Sequence, residues 1–248
     1  MRIFIPLALA AMLALPGLAT AQRASHPDNP VIVLVHGAFA DASSWAGVIV
    51  RLKAGRYDVI AAAIASIVES VRAPVILVGH SYGGPVITEA ANGNPNVKAL
   101  GYVAGFAPEA GETSLMLSAK FPGSTLGDSL KPVALPDGDK HLYIRPEIFR
   151  AQFAADVPAS ETAITAATQR PVTLSALGET SRTTAWKTLP PYMIYGTSDR
   201  NIAAAVMKFM AERAQARRTI AIEGGLHAVM ASHQGAVAAL IEDAAAGK

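Results

Sequence analysis

Apolar residues fall along this chain in two alternating rhythms. Short unbroken runs, "VIVLV" (Val31 to Val35), "YDVIA" (Tyr57 to Ala61), "PVILV" (Pro74 to Val78) and "VKALGYVAG" (Val97 to Gly105), have the length and β-branched content of strands, the first of them buried on both faces. Between them the apolar positions switch to a spacing of three and four. Trp45, Val48, Ile49 and Leu52 mark one helix face, with Asp41, Ser43 or Ser44 available to cap its start, and Ile64, Ile67, Val68 and Val71 mark a second, short helix. A third helix is expected just after Ser81. Regular succession of strand and helix predicts a parallel sheet, because parallel neighbours need a crossover and a helix is the compact one. The rhythm resumes with "PYMIYG" (Pro191 to Gly196), a helix with Ile202, Val206, Phe209 and Met210 inward, "RTIAIEG" (Arg218 to Gly224), and a last helix marked by Val237, Leu240, Ile241 and Ala244.

From Phe106 to about Leu189 the rhythm lapses into Pro-, Ser-, Thr- and Gly-rich sequence with short helical pieces such as "PEIFRAQFAADV". The interval is too long for a loop and too broken for sheet crossovers, so it is expected to form a cap of approximately residues 107–189, inserted between the fourth and fifth predicted strands. The fold class is therefore α/β: a mostly parallel sheet flanked by helices, with an inserted cap.

The N-terminus changes the boundaries. Arg2, an apolar run from Ile3 to Leu18, and Ala19-Thr20-Ala21 have the layout of a secretory signal peptide (1–21), which leaves 22–248 as the domain and predicts export to the periplasm or the medium. Pro16 and Gly17 break the run short of the ~20 residues a spanning helix needs, so no stable membrane anchor is expected after cleavage. With 21 Lys and Arg against 19 Asp and Glu and no basic run, nucleic acid is not an expected partner. The absence of cysteine removes disulfides and thiol nucleophiles from consideration. No metal-ligand cluster or dinucleotide fingerprint is present, and no cofactor is expected.

Candidate chemistry centres on "VILVGHSYGGPV" (Val75 to Val86). Gly79-His80-Ser81-Tyr82-Gly83 fits G-x-S-x-G, a weak signal alone, but here it ends a buried strand and opens a helix. That setting is a nucleophile elbow: a strained turn lifts the serine hydroxyl above the carboxyl edge of the sheet, and the glycines let crossing backbones pass. A serine needs a base to take its proton. Of six histidines, His227 in "EGGLHAVM" follows the last strand through a Gly-Gly loop and is the expected base; His233 competes, while His36 and His80 read as fixed in turns. Asp199 in "TSDRN" is the expected orienting acid, with an ordinary helix N-cap as its bland alternative and Glu109 as a second candidate. The amide of Tyr82 and that of Ala38, with Phe39 next, would bind the oxyanion.

These residues resemble the α/β-hydrolase superfamily, and within it the small branch of bacterial carboxylesterases, plant methyl-ester esterases and hydroxynitrile lyases. "VLVHGAFADASSW", "VILVGHSYGGPVITEA", "YVAGFAPEAGE", "YGTSDRNI" and "HAVMASH" carry the resemblance across nearly the whole domain. It implies an α/β-hydrolase fold, Ser81, Asp199 and His227 as triad, and the Ala38 and Tyr82 amides as oxyanion hole. Lyases of this branch typically have Thr where Gly37 stands and Lys after the catalytic histidine, where this chain has Ala228; both departures favour ester hydrolysis. A third departure is the short connection around Ala61 to Ile64.

The sequence thus predicts a secreted serine hydrolase acting on a small, largely apolar carboxylic ester, with Phe39, Leu115, Leu117, Phe149 and Phe153 as candidate pocket residues. Lyase chemistry on the same fold, or a non-catalytic binding protein, are the alternatives.

Overall fold

The computed structural model describes residues 26, 29–61, 68 and 70–248. The expected signal peptide, and Ile64 and Ile67 of the expected second helix, lie outside the described residues.

The domain opens with β1 (Val31–Val35), α1 (Ala46–Ala54), β2 (Val59–Ala61), β3 (Val75–His80), α2 (Gly83–Ala91) and β4 (Val97–Val103). After the cap come β8 (Pro191–Gly196), α8 (Ala204–Arg213), β9 (Arg218–Ile222), α9 (Val229–Ser232) and α10 (Gln234–Ala245). The six strands pair in the order β2-β1-β3-β4-β8-β9, and every pairing is parallel. The central strand β3 is buried at all six positions, as its unbroken apolar run requires. β2 is shorter than its apolar run suggests because it lies at the edge and pairs only with β1 through Val59, Ile60 and Ala61. The last helix buries Val237, Leu240, Ile241 and Ala244, the stripe read from their spacing. Ile202 belongs instead to the loop before α8, where it is buried.

After β1 the chain goes outward to β2 and then returns to the other side of β1 with β3. Ligands of open parallel sheets bind outside the carboxyl ends of strands at such a reversal. Both Gly37-Ala38, just past β1, and Ser81, just past β3, stand there.

The cap comprises α3 (Ser114–Ser118), α4 (Leu126–Ser129), β5 (Leu130–Ala134), β6 (Lys140–Ile144), α5 (Pro146–Phe153), α6 (Ala159–Thr168), β7 (Val172–Thr173) and α7 (Leu174–Leu177). Its antiparallel sheet, β5-β6-β7, differs from the expectation of short helical pieces alone. The hairpin signal is present as Pro136-Asp137-Gly138, with Gly138 at φ +90° and Leu135 and Asp139 hydrogen-bonded across the turn. Four of the five β5 residues are exposed, so no inward-outward alternation marks that strand. Phe149 and Phe153, four apart on α5, are both fully buried and stack at 5.1 Å.

Candidate active site

Ser81 follows the last residue of β3 at φ +52°, in the left-handed region that costs a non-glycine residue strain. Surrounding hydrogen bonds hold it there. Its N–H donates to Val103 O (3.2 Å), and its carbonyl accepts from Gly84 N (3.0 Å) and Phe106 N (3.2 Å). The turn is tight enough that a β-carbon on Gly79 would stand 2.4 Å from the carbonyl oxygen of Gly83. At Gly37 an added β-carbon would stand 2.6 Å from that of Ser81, so the loop after β1 lies directly against the serine.

His227 is fully buried and its Nδ1 lies 2.7 Å from Asp199 Oδ2. A carboxylate accepts, so Nδ1 carries the proton and Nε2 presents its lone pair. The other oxygen of Asp199 accepts from Asn201 N (2.7 Å) and Ile202 N (3.0 Å). One oxygen of Asp199 thus caps the turn before α8, whose own N-cap is Ala203, and the other bonds the imidazole. Glu109 instead forms an ion pair with Lys187. His233 lies 3.9 Å from Asp156 and is partly exposed.

His227 Nε2 is buried and has no hydrogen-bond partner, so its bond to the serine hydroxyl is not made in this structure. The two residues are nevertheless neighbours through His80, whose ring lies 4.8 Å from that of His227. His80 ends β3 rather than sitting in a turn, and it is completely buried. Burial, with His227 beside it, holds its pKa well below the usual histidine value of 6.5.

Among the described residues, no protein group accepts a hydrogen bond from the amides of Ala38 or Tyr82. Phe39, the alternative to Ala38, is different: its N–H donates to Arg170 O of the cap at 2.7 Å, which removes it as an oxyanion donor. The pocket candidates divide in the same way. Of the three candidate rings, only that of Phe153 packs against the buried histidines, with ring centroids 5.1 Å from His227 and 6.0 Å from His80. Phe39, Leu117 and Phe149 are core residues, and Leu115 is 42% exposed on the cap. A cavity of about 430 Å³ lies beside Tyr82, Pro85, Val86, Ser114 and Ser181, and one of about 190 Å³ beside Phe153, Ala228 and Met230; of the five candidates, only Phe153 lines either. Among the described residues, no group of three or more His, Cys, Asp or Glu could hold a metal ion, and no helix is long and apolar enough to cross a membrane.

Two residues at this site escaped the sequence reading in their roles, His80 and Gln152. Gln152 stands on the buried stripe of α5 between Phe149 and Phe153, at spacing i, i+3, i+4. A glutamine on such a stripe is the signal that was available.

The sequence profile of the alpha/beta hydrolase family matches residues 32–240. The chain belongs to that family. No curated protein sequence matches it significantly. Among solved structures, this alpha/beta hydrolase is similar to polyneuridine aldehyde esterase, with TM-score 0.75 and 16% identity over 86% of this chain and 98% of the other. It is similar to the methylesterase protein MES16 from Arabidopsis, with TM-score 0.73 and 17% identity over 88% of this chain and 100% of the other. Tomato methylketone synthase I, complexed with 2-tridecanone, gives TM-score 0.74 and 20% identity over 89% and 99%. At these identities the likeness is one of fold.

Proposed function

We propose that this alpha/beta hydrolase is a serine carboxylesterase acting on small, largely apolar esters. The observation that carries the reading is the His227 Nδ1 to Asp199 Oδ2 hydrogen bond at 2.7 Å, which leaves an unpartnered Nε2 lone pair in the layer that also holds the strained Ser81. In the substrate complex Nε2 takes the Ser81 proton as Oγ attacks the ester carbonyl. Catalytic hydrogen bonds are often open in unliganded structures and close on binding. The Ala38 and Tyr82 amides receive the charge that develops on the carbonyl oxygen; one such donor contributes roughly 3 to 4 kcal/mol to lowering the barrier. Collapse of the tetrahedral intermediate passes the proton from His227 to the leaving alcohol and leaves an acyl group on Ser81. Water activated by the same imidazole then releases the acid. Phe153, whose ring packs against His227 and lines the adjoining cavity, supports an apolar acyl group.

The test is a chain-length series of p-nitrophenyl esters on wild type and Ser81→Ala, with a cyanohydrin in parallel. Ester turnover is expected to fall by several orders of magnitude in Ser81→Ala. Equal rates in the two proteins refute the reading, and cyanide release without ester turnover replaces it with lyase chemistry. Export belongs to the same proposal and is supported by the pattern of residues 1–21; N-terminal sequencing of exported protein should begin at Gln22.

A further inference from the structure

We infer that the cap helix α5 is the positioning device of the acid–base pair, with Gln152 as the positioning residue for Asp199; this rests on the proposed roles of Asp199 and His227. Three consecutive residues of α5 grip the loops that carry Asp199 and His227, the first two of them the acid loop. Ala151 O accepts from the Arg200 guanidinium (3.2 Å), and Gln152 Nε2 donates both to Arg200 O (2.9 Å) and to Asn201 Oδ1 (2.8 Å). The third, Phe153, reaches the other loop: its carbonyl accepts from Ala228 N at 3.1 Å, and its ring packs edge-on against His227. Just beyond the helix, Asp156 Oδ2 accepts from Leu226 N at 3.2 Å. The helix thus holds the residues after Asp199 and the residue after His227, and Asp156 just beyond it holds the residue before His227.

Gln152 is the member whose chemistry is most constrained. It is 4% exposed, and its carbonyl oxygen accepts from the hydroxyls of Thr125 and Ser129, each at 2.9 Å. A side-chain amide offers two acceptor and two donor positions, and here all four are used. Arg200 O can only accept, which fixes the orientation of the amide. The acid loop is tied at the same point by Thr125 N to Arg200 O (2.9 Å) and Ser124 Oγ to Asn201 O (2.8 Å).

These bonds converge on one peptide. Asn201 N is one of the two amides that orient the Asp199 carboxylate, so a shift of the Arg200-Asn201 backbone turns Oδ2 relative to His227 Nδ1. Substrate is not touched in the process. The consequence is a selective effect on turnover: displacing a reacting group by about 1 Å costs on the order of 100-fold in rate.

The experiment compares wild type, Ser81→Ala, Gln152→Ala, Gln152→Glu and the cap control Arg145→Ala, whose exposed side chain donates to Asp128 O and bonds neither Arg200 nor Asn201. It reads kcat and KM on p-nitrophenyl butyrate, circular dichroism, and the far-downfield ¹H resonance of the His227 Nδ1–H. Gln152→Glu keeps the acceptor side of the network and loses both donors. Both Gln152 variants are expected to lose about 10- to 100-fold in kcat with KM changed less than about threefold, and to weaken the downfield resonance. Arg145→Ala is expected to keep kcat within about twofold. Wild-type kcat and resonance in either folded Gln152 variant overturn the inference, as does an equal kcat loss in Arg145→Ala. Should neither Gln152 variant fold, Asn201→Ala, which removes one acceptor of the network, must show the same kcat-selective loss, and wild-type kcat in it overturns the inference. Turnover that survives Ser81→Ala refutes the proposed function; turnover abolished by Ser81→Ala but intact in the Gln152 variants refutes the positioning role alone.

Discussion

His80 donates its Nε2–H to the backbone carbonyl of His227 across 3.2 Å, tying the residue before the proposed nucleophile to the proposed base. A carbonyl can only accept, so the bond fixes the Nε2–H tautomer. His80 Nδ1 is then a buried lone pair with no partner. Trp45 and Phe153 pack edge-on to the same ring, at 6.4 and 6.0 Å. A neutral imidazole suits this place and a charged one does not.

Acid stability should report that neutrality. The unfolded chain protonates His80 near its ordinary value of 6.5, whereas the folded pKa is depressed well below it. Below that pH the unfolded state therefore binds more protons, and stability falls with acidification by up to about 1.4 kcal/mol per pH unit from this group; above it the contribution is flat. Urea unfolding of wild type and His80→Asn between about pH 7 and about pH 5 should show a shallower pH slope in the variant. Equal slopes would mean that His80 accepts a proton in the folded protein.

Asp199→Asn should separate the two jobs of that carboxylate. The Oδ1 position can still accept from the amides of Asn201 and Ile202, so the fold should persist. An amide nitrogen facing His227 Nδ1 would favour the wrong tautomer, and kcat should drop about 10³- to 10⁴-fold. A steady-state rate within tenfold of wild type would assign the orienting role elsewhere.

Gly79→Ala should damage folding rather than chemistry. The new methyl group would lie 2.4 Å from Gly83 O and 2.6 Å from Gly83 C, both backbone atoms of the turn that cannot rotate away. Destabilisation of about 3 kcal/mol, the upper part of the usual range for overpacking, is expected from the urea midpoint. An unchanged midpoint would show that the turn is looser than described.

The two stacked phenylalanines should behave differently. Phe149→Ala and Phe153→Ala each empty a fully buried site and should cost about 3 to 5 kcal/mol. Only Phe153 touches His80 and His227. Per folded molecule, kcat should therefore fall further in Phe153→Ala, as measured by activity normalised to the folded fraction. Equal activity losses would remove the distinction.

Much of the sheet was legible because strands buried on both faces must be apolar throughout, and β8 begins and ends where its run does, Pro191 to Gly196. The elbow was legible for a related reason: Gly79 is demanded by a backbone contact with Gly83, only four residues on, although Gly83 itself lies against Val35 and His36 of a distant segment. The cap sheet was not, because β5 is largely exposed and carries no alternation. Nor were most pocket candidates: an apolar residue at helical spacing looks the same whether it faces a core, as Phe149 does, or packs against His227, as Phe153 does.

The sequence by itself determined which residue types could do chemistry and in what order along the chain they occur, since periodicity and local turn geometry act over a few residues. Only the tertiary structure decided how residues about thirty apart, Asp199 and His227, come to within 2.7 Å, and that a glutamine from the cap bonds the two residues that follow Asp199. Hydrogen bonds between distant segments depend on the packing of whole elements against one another, and no local pattern encodes them.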